Sequence, residues 1–406
     1  MKLSRLADAI ATHPILELAA LINEKKAAGE KIYNFTVGDF DSSIYPIPDL
    51  LKEETIRAYQ DNQTNYPGAF GVPELREGVA QTLNRICGLD YTAADVQISS
   101  GSRPLIYACY RAIVDPGDKV VFPGPSWSND NYTLLSDARA TIVETRPEND
   151  FMPTAEELRP HLDDATLLAL CSPQNPTGTV FTRERLKEIC ELVVEINRQR
   201  AEGEKPLYVM FDQVYWLLTF GDVEFHHPLA VCPEIRDYAV FIDGLSKSLA
   251  GTGIRVGWAT APDHILPKMR ALIAHIGAWA PKPEQVAAGR FLQNPQAVDA
   301  FLESFRAELQ NRLQGFYDGF VALKDKGYPV DAIAPQAAIY LTVKIDLVGK
   351  ITPDGTTLED TDAVQDYLLN SVKLGVLPFS WFDARSYGDW FRISVGTCRQ
   401  EEVAEV

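Results

Sequence analysis

Between about residues 72 and 290, apolar runs typical of strands alternate with segments of helical periodicity, and this alternation constrains the fold most strongly. The helical patterns cover Pro73–Arg85, Pro104–Val114 and Arg183–Arg198. The strand candidates are rich in β-branched or large apolar residues and precede turn residues: Lys119–Phe122, Thr141–Glu144, Leu167–Cys171, Leu207–Phe211, Ala239–Ile242 and Val256–Thr260. Such an alternation predicts an α/β fold, in which helices cover both faces of an open, mainly parallel sheet.

The rest of the chain predicts a second, smaller α+β domain. Its expected elements are a long helix with a polar face, two short strands and a further helix, at about 291–325, Ala338–Val343, Phe391–Val395 and Thr361–Lys373. We expect the N-terminal residues to pack with this part of the chain. The predicted division is therefore a large domain at 46–290 and a small domain made of 1–45 and 291–406.

The charge balance and the cysteines limit the classes of partner. The chain has 406 residues, 46% of them hydrophobic, and a formal net charge of −18. Such a surface repels nucleic acid and anionic lipid, although a pocket can still be locally basic. The six cysteines show no CxxC pair or zinc-like spacing, which is typical of buried thiols in a reducing compartment. Because no segment resembles a signal peptide or a membrane span, a cytoplasmic protein is predicted.

The segment Gly244–Trp258 carries the strongest chemical signal. Lys247 follows a strand candidate, so it is expected at the carboxyl end of a strand, where open α/β sheets bind ligands. A lysine amine forms Schiff bases with carbonyl cofactors when it is desolvated or lies near another cation. Arg255, eight residues on, could bind a phosphate and lower the pKa of this lysine. Read alone, Lys247 is better interpreted as a surface lysine in a turn.

Two other strand candidates end at polar residues. Asp212 closes a buried apolar run, where a carboxylate requires a cationic or hydrogen-bonding partner. A protonated pyridine nitrogen is such a partner, and holding that proton makes the ring an electron sink. A helix-capping aspartate is an equally good interpretation of this residue alone. Asn175, in a Pro-Gln-Asn-Pro-Thr-Gly turn after another strand, presents an amide at the same edge of the sheet.

Two further segments offer an anion site and a flat apolar surface. Gly101 and Ser102 lie where a helix is expected to begin, so their backbone N–H groups and the helix dipole favour an anion. Small residues at this place are also common as simple helix caps. Trp127 follows the strand candidate at Lys119–Phe122, and its ring could stack on a planar ligand.

Taken in this order, the segments resemble those of the class I and II aminotransferases of fold type I, the aspartate aminotransferase superfamily. The resemblance extends from Asn34 to Arg392, and six motifs in the right order are far more specific than one. It implies a fold type I transferase that depends on pyridoxal 5′-phosphate. It also implies small-molecule amino acid and 2-oxo acid substrates, and a homodimer with two shared active sites.

The resemblance implies roles for the residues around the cofactor ring. Lys247 matches the lysine that binds the cofactor and moves a proton between substrate and cofactor. Asp212 matches the partner of the pyridine nitrogen, and Trp127 matches the aromatic residue that stacks on the ring. Tyr215 and Asn175 match the two residues that hydrogen-bond the ring 3′-oxygen.

The resemblance likewise implies a phosphate site. Gly101, Ser102, Ser246 and Arg255 match the residues that surround the cofactor phosphate, and Arg103, which directly follows the first pair, is also predicted to bind the cofactor. In Tyr66-Pro67-Gly68, the tyrosine matches one that reaches the phosphate bound by the neighbouring subunit.

Three residues match substrate-binding positions, together with Asn175. Gly38 matches the glycine whose backbone meets the substrate carboxylate, and Arg392 matches the arginine that clamps the α-carboxylate, a role that suits its bidentate geometry. In one branch of aspartate aminotransferases, a basic residue at the position of Arg103 reads the distal carboxylate. That role implies aspartate or another dicarboxylic amino acid as the donor and 2-oxoglutarate as an acceptor. A solvated arginine at a helix start is the alternative.

Other functions remain open on the sequence alone. Pocket residues diverge within this fold, so an aromatic, kynurenine-type or alanine aminotransferase or a β-lyase is an alternative. A regulatory protein with an aminotransferase-like domain is disfavoured, because only about 30 residues precede Asn34 and the chain is acidic.

The chain departs from the family pattern at three places. Gln213 replaces the acidic residue that commonly follows the ring-binding aspartate, and Gly244 stands where some relatives have a phosphate-binding serine. In Pro378-Phe379-Ser380, a phenylalanine replaces the glycine of the more usual Pro-Gly-Ser. The first change should affect only the surroundings of Asp212, whereas the other two bear on a phosphate contact and on the shape of the substrate-side loop. We expect a final helix after Arg392 to be short or absent.

Overall fold

The computed structural model describes residues 2–10 and 14–406. Strands β1 to β13 are, in order, Tyr33–Asn34, Val96–Ser99, Lys119–Gly124, Arg139–Glu144, Ala165–Cys171, Tyr208–Asp212, Ala239–Gly244, Gly257–Thr260, Val330–Ala332, Tyr340–Ile345, Leu374–Gly375, Leu377–Pro378 and Trp390–Ser394. Helices α1 to α15 are Arg5–Ala9, Pro14–Ala27, Asp49–Gln60, Pro73–Cys87, Ser102–Ile113, Asn129–Leu135, Ala155–Leu158, Arg183–Gln199, Pro228–Val231, Leu245–Ser248, Leu266–His275, Lys282–Leu292, Pro295–Asp325, Thr361–Tyr367 and Gln400–Glu405.

A seven-stranded sheet with the order β2-β8-β7-β6-β5-β3-β4 lies at the centre. Strand β8 runs antiparallel to both of its neighbours, and the other strands are parallel to one another. In β5, Leu168 packs into the cluster on the face of α8, and Leu167 packs into the cluster on the face of α5 and α11. The predicted α/β fold with helices on both faces is therefore confirmed.

The six predicted strands of this sheet are present, and their ends move by one or two residues. Strand β2, Val96–Ser99, was missed by the sequence analysis. Because β2, β3, β5, β6 and β7 are parallel, they all end at one edge of the sheet. The antiparallel β8 begins at that edge. The turns that carry the sequence motifs therefore meet there.

Two smaller sheets complete the fold. An antiparallel sheet has the order β12-β13-β10-β9, and β1 pairs in parallel with β11. Ile22 and Ile32 pack in one cluster with Leu369 and Leu377, so N-terminal residues contact the C-terminal part. The division into 46–290 and 1–45 with 291–406 stays a prediction.

Three predicted boundaries in this region were wrong for local reasons. The strand expected from Ala338 begins at Tyr340, because Ala338 has a left-handed φ of 64°. The long helix begins at Pro295, where the side chain of Asn294 accepts a hydrogen bond from Ala297 N. The helix expected over Thr361–Lys373 is α-helical only to Tyr367 and continues as a π-helical turn.

Candidate active site

A cavity of about 440 Å³ lies at the edge where the parallel strands end. Nine of the predicted site residues line it: Gly38, Ser102, Arg103, Trp127, Asn175, Asp212, Tyr215, Lys247 and Arg392. They come from both parts of the chain, since Gly38 follows β1 and Arg392 lies in β13. Gly101, Ser246, Arg255 and Tyr66 lie outside this lining.

Asp212 is the last residue of β6 and faces the cavity. Its Oδ1 accepts a hydrogen bond of 3.1 Å from the backbone N–H of Val214. Within residues 2–10 and 14–406, no Lys, Arg or His nitrogen lies within 4.0 Å of this carboxylate. Burial raises the pKa of Asp212 to about 6, against the opposing effects of the Val214 N–H and the charge of Lys247. The site thus holds an acid that lacks the cation it would normally require.

Lys247 lies in the short helix α10, which directly follows β7. Its amine donates a hydrogen bond to the Gly38 carbonyl and lies 5.9 Å from the centre of the Tyr215 ring. Burial lowers the pKa of Lys247 to about 8, and nearby arginines, Arg392 first, add to this effect. Asp39 acts in the opposite direction. Near neutral pH, about a tenth of these amines is therefore uncharged and nucleophilic.

Arg392 projects from β13 and is only 2% exposed. Its two terminal nitrogens donate to Asn175 Oδ1 at 2.8 Å and to the Thr36 carbonyl oxygen at 2.6 Å. The guanidinium lies 4.5 Å from the centre of the Tyr340 ring and 5.1 Å from that of Phe382. Its Nε has no hydrogen-bond partner, and no acidic side chain of the described residues forms an ion pair with it. This buried cation is thus open to a carboxylate ligand.

Tyr215 and Tyr340 face each other beside Arg392. Their hydroxyl oxygens are 2.6 Å apart, and both side chains are buried. Burial raises the pKa of both phenols, so both stay protonated at neutral pH. A Cβ added to Gly38 would come within 2.7 Å of the Tyr340 hydroxyl oxygen, which explains why a glycine occupies that position.

Gly101, Ser102 and Arg255, which were predicted to bind the phosphate, lie together beside the cavity. Gly101 ends the turn after β2 with a φ of 90°, and Ser102 begins α5. Arg255 donates to Ser100 O at 3.2 Å, and a Cβ on Gly101 would clash with its guanidinium. Ser246 adjoins Lys247 in α10. The N-terminus of α5 and the guanidinium together provide backbone donors and a positive charge, which suit an anion.

Arg103 and Trp127 lie at the outer side of the cavity. Arg103 is exposed, and its guanidinium carbon lies 5.7 Å from the centre of the Trp127 ring. The ring of Trp127 lies 6.1 Å from that of Phe382. Arg103 makes no ion pair with any described acidic residue, so its charge is available at the mouth of the cavity.

Tyr66 does not approach the cavity of its own chain. It is 83% exposed, and its ring lies 5.4 Å from that of Trp279 in a separate surface depression. Its role at the phosphate of a neighbouring subunit stays a prediction.

Sequence reasoning missed several residues of the cavity. Tyr340 falls in a predicted strand, whose alternation indicates burial but not which neighbour a hydroxyl meets. Ile15, Leu16 and Ala19 of α2 also line the cavity, together with Thr36 and Asp39, beside Gly38. The prediction that the N-terminal residues pack with the smaller domain did not indicate that α2 covers a site.

The described ranges contain neither a cluster of metal-ligating side chains nor a helix that could span a membrane. The six cysteines are free thiols.

Comparisons with known proteins identify the family of the chain. The family described as aminotransferase class I and II matches residues 30–406. A probable aspartate/prephenate aminotransferase of Aquifex aeolicus is 26% identical over 376 residues, which cover 92% of this chain and 90% of that protein. The aspartate aminotransferase of Geobacillus stearothermophilus is 28% identical over 386 residues, which cover 95% of this chain and 92% of that protein.

Solved structures show the same fold. The aspartate aminotransferase from Rhizobium meliloti matches 100% of this chain and 97% of its own, with a TM-score of 0.90 and 23% identity. The Thermus thermophilus aspartate aminotransferase with maleate has a TM-score of 0.86, 26% identity and the same coverage. The fold, the motifs and the family match lead to one conclusion: the chain belongs to the class I and II aminotransferases and is a transaminase.

Proposed function

We propose that this transaminase uses pyridoxal 5′-phosphate to move the amino group of a dicarboxylic L-amino acid, such as aspartate, to a 2-oxo acid such as 2-oxoglutarate. One observation carries the proposal: Lys247, Asp212 and Arg392 face one cavity, and none of them has an ion-pair partner among the described residues. A lysine with a lowered pKa, a carboxyl with a raised pKa and an unpaired buried arginine are the groups that this cofactor and an amino acid require.

The residues of the site fit this cofactor. Asp212 would pair with the protonated pyridine nitrogen and so regain the cation it lacks. The side-chain oxygen of Asn175 accepts a hydrogen bond from Arg392. The amide N–H group of Asn175 would therefore be free to bind the ring 3′-oxygen, together with the Tyr215 hydroxyl. Gly101, Ser102, Ser246 and Arg255 would hold the phosphate at the start of α5. Trp127 would cover one face of the ring.

Each residue then has a distinct task. When bound, pyridoxal phosphate supplies an electron sink for the pair of electrons left at the substrate Cα. Lys247 would hold the cofactor through its amine and, when that amine is free, would take the substrate Cα proton as a general base. Asp212 would keep the ring nitrogen protonated, and Arg392 would orient the substrate by its α-carboxylate.

The dicarboxylate preference rests on the second arginine. Arg103 lines the same cavity as Arg392 but lies at its outer side, with no ion pair to a described acidic residue. A substrate with a carboxylate at each end could contact both cations. The relatives named aspartate aminotransferases support this assignment, and maleate, named with the Thermus structure, is itself a dicarboxylate.

Chemical trapping tests the cofactor site. The purified protein should be yellow, and borohydride should fix the cofactor to Lys247, as peptide mapping would show. Lys247→Ala should retain the cofactor poorly and lose proton transfer at Cα. Reduced cofactor on any other lysine contradicts the assignment.

A ratio of catalytic efficiencies tests the substrate class. Arg103→Ala should lower kcat/KM for aspartate and spare phenylalanine, because only aspartate leaves a distal charge without its partner. Because Arg103 is exposed, the loss should be on the order of 1 kcal/mol, the upper range for an exposed charge pair. Arg392→Ala should weaken both substrates alike. Arg111→Ala is the matched control, since Arg111 is an exposed arginine in the last turn of the same helix. An unchanged aspartate-to-phenylalanine ratio in Arg103→Ala removes the dicarboxylate assignment.

One observation favours a second donor class. Ile15, Leu16 and Ala19 give the cavity an apolar wall, which suits an uncharged aromatic or aliphatic side chain. A higher kcat/KM for phenylalanine, kynurenine or alanine than for aspartate would establish that alternative. Release of pyruvate from a cysteine conjugate would instead indicate a β-lyase.

A further inference from the structure

Tyr340 contacts both Tyr215, on the cofactor side of the proposed site, and Arg392, on its substrate side, although none of the sequence motifs includes Tyr340. Its hydroxyl lies 2.6 Å from that of Tyr215, and its ring carries the Arg392 guanidinium at 4.5 Å. Its hydroxyl also lies against Gly38, where a Cβ would be 2.7 Å away. We propose that Tyr340 is a positioning residue that couples the carboxylate-binding Arg392 to Tyr215 and so to the cofactor ring. This inference rests on the proposed function.

The hydroxyl contact has a definite direction in the loaded enzyme. If Tyr215 donates its proton to the ring 3′-oxygen, its own oxygen must accept from Tyr340. Both phenols remain protonated, so each has one proton to donate. When Tyr340 donates to the Tyr215 oxygen, it polarises the O–H group of Tyr215, and hydrogen bonds in such a chain strengthen one another. The Tyr340 hydroxyl therefore strengthens the bond from Tyr215 to the cofactor oxygen.

The ring contact acts on the substrate side. Arg392 contacts the rings of Tyr340 and Phe382, while Asn175 and Thr36 take two of its donors. These contacts leave the guanidinium little freedom to turn. A cation–π contact in a desolvated site is a substantial attraction. Loss of the Tyr340 ring should therefore loosen the arginine that binds every amino acid.

The chain offers a matched pair away from the site. Tyr45 is buried and carries the Arg312 guanidinium at 5.0 Å from its ring centre, but its hydroxyl has no hydrogen-bond partner. Tyr45→Phe therefore reproduces the structural cost of removing a buried phenol oxygen beside an arginine. It leaves the cavity untouched.

The experiment compares Tyr340→Phe, Tyr340→Leu and Tyr45→Phe as holoenzymes. The readouts are the pH midpoint of the cofactor's visible band and the KM for aspartate and for phenylalanine. Tyr340→Phe keeps the ring, so its KM values should stay within about twofold, whereas the midpoint should rise by roughly half a pH unit. The rise follows because a weaker Tyr215 donor stabilises the negative 3′-oxygen less. Tyr340→Leu should also raise both KM values about tenfold.

The charged groups around Lys247 stay the same in all three variants. Asp39, Arg392, Arg103 and Arg255 act on its amine, and Asp212 lies in the same cavity. A shift in Tyr340→Phe therefore reports the lost hydroxyl. Tyr45→Phe should match the wild type in both readouts.

Two outcomes overturn the inference: a Tyr340→Phe midpoint equal to that of the wild type, or equal shifts in Tyr340→Phe and Tyr45→Phe. Failure of the proposed function looks different, because the wild-type protein itself would then lack the visible band or the transamination activity.

Discussion

Asp212 and Lys247 face one cavity with opposite shifts in pKa. Burial raises the pKa of the acid to about 6 and lowers that of the amine to about 8. Each shift means that the charged form is disfavoured in the protein alone. A bound cofactor would remove both costs, since it brings a ring cation to Asp212 and turns the Lys247 amine into a covalent link. Because the charged forms of Asp212 and Lys247 are disfavoured without a ligand, these residues indicate a ligand-binding site that lowers the stability of the protein alone.

Asp212→Asn should stabilise the apo protein at neutral pH. The folded pKa of about 6 lies above the ordinary value of 3.8, so the penalty is absent below pH 3.8 and complete above pH 6. A shift of that size corresponds to about 3 kcal/mol, and the variant should be more stable by up to that amount. Urea unfolding of both apo proteins at pH 4 and pH 7.5 measures the difference.

The same variant should bind pyridoxal phosphate more weakly, because the amide cannot pair with the ring cation as a carboxylate does. The Val214 N–H still finds an acceptor in the asparagine, so the backbone bond is kept. A difference in unfolding free energy that does not grow between pH 4 and pH 7.5 would contradict the prediction.

The sequence could predict the site residues that would cost free energy if they were buried without a ligand or partner. Lys247, Asp212 and Asn175 follow strands that end at a common edge, and all three line the cavity. Tyr340 could not be predicted, because a buried tyrosine in a strand looks like any core residue until its hydroxyl partner is known. Leu16 is similar, since only the path of the chain brings its helix over the cavity.

At the scale of elements, the close approach of β8 to the start of α5 determines the shape of the anion site. A Cβ on Gly257 would overlap the backbone of Gly101 and lie 2.7 Å from the Ser102 nitrogen. Backbone atoms cannot move aside as a flexible side chain can. The first residue of β8 must therefore be a glycine for the turn after β2 to remain in place.

Gly257→Ala should displace this turn and weaken the binding of pyridoxal phosphate, with little change for pyridoxal, which has no phosphate. Gly253→Ala is the control. Gly253 lies in the connection that leads into β8, and apart from its chain neighbours no atom lies within 4 Å of its added Cβ. Fluorescence titration of the two apo variants with both compounds gives the dissociation constants. Equal losses for the two compounds would show that the substitution damages more than the anion site.

Most elements of the large sheet could be predicted, because long apolar runs leave little choice. Strand β2 was missed since Val96–Ser99 is short and includes a polar side chain. That side chain, Gln97, is fully buried and donates to the carbonyl oxygens of Ala69 and Ile98. A satisfied buried amide looks like a surface residue in the sequence. The start of β10 at Tyr340 depends on the left-handed conformation of Ala338, which the sequence does not mark.

At the scale of the whole molecule, the exposed Tyr66 supports the homodimer with shared sites that the family resemblance implies. A tyrosine that is 83% exposed and packs edge-on against Trp279 has a large apolar surface in water. In a dimer this surface would be covered, and the hydroxyl could reach the phosphate in the neighbouring site.

Mixed dimers test this arrangement. A Lys247→Ala chain paired with a Tyr66→Ala chain has one site with both native residues, because each site takes Lys247 from one chain and Tyr66 from the other. Differently tagged, co-expressed chains should therefore recover about one wild-type site per dimer, whereas each variant alone is impaired. Sedimentation should give twice the mass of the chain. A mixed dimer no better than the Tyr66→Ala protein would show that Tyr66 does not serve the neighbouring site.

The bond between Arg392 and the Thr36 carbonyl joins residues 356 positions apart. Ser102, Asn175, Asp212 and Lys247 all lie between them in the chain. Since a ribosome delivers the polypeptide from its N-terminus, the groups for the cofactor emerge well before the strand that carries Arg392. A nascent chain is therefore expected to acquire its cofactor pocket first, and to gain the ability to recognise an amino acid only when translation is almost finished.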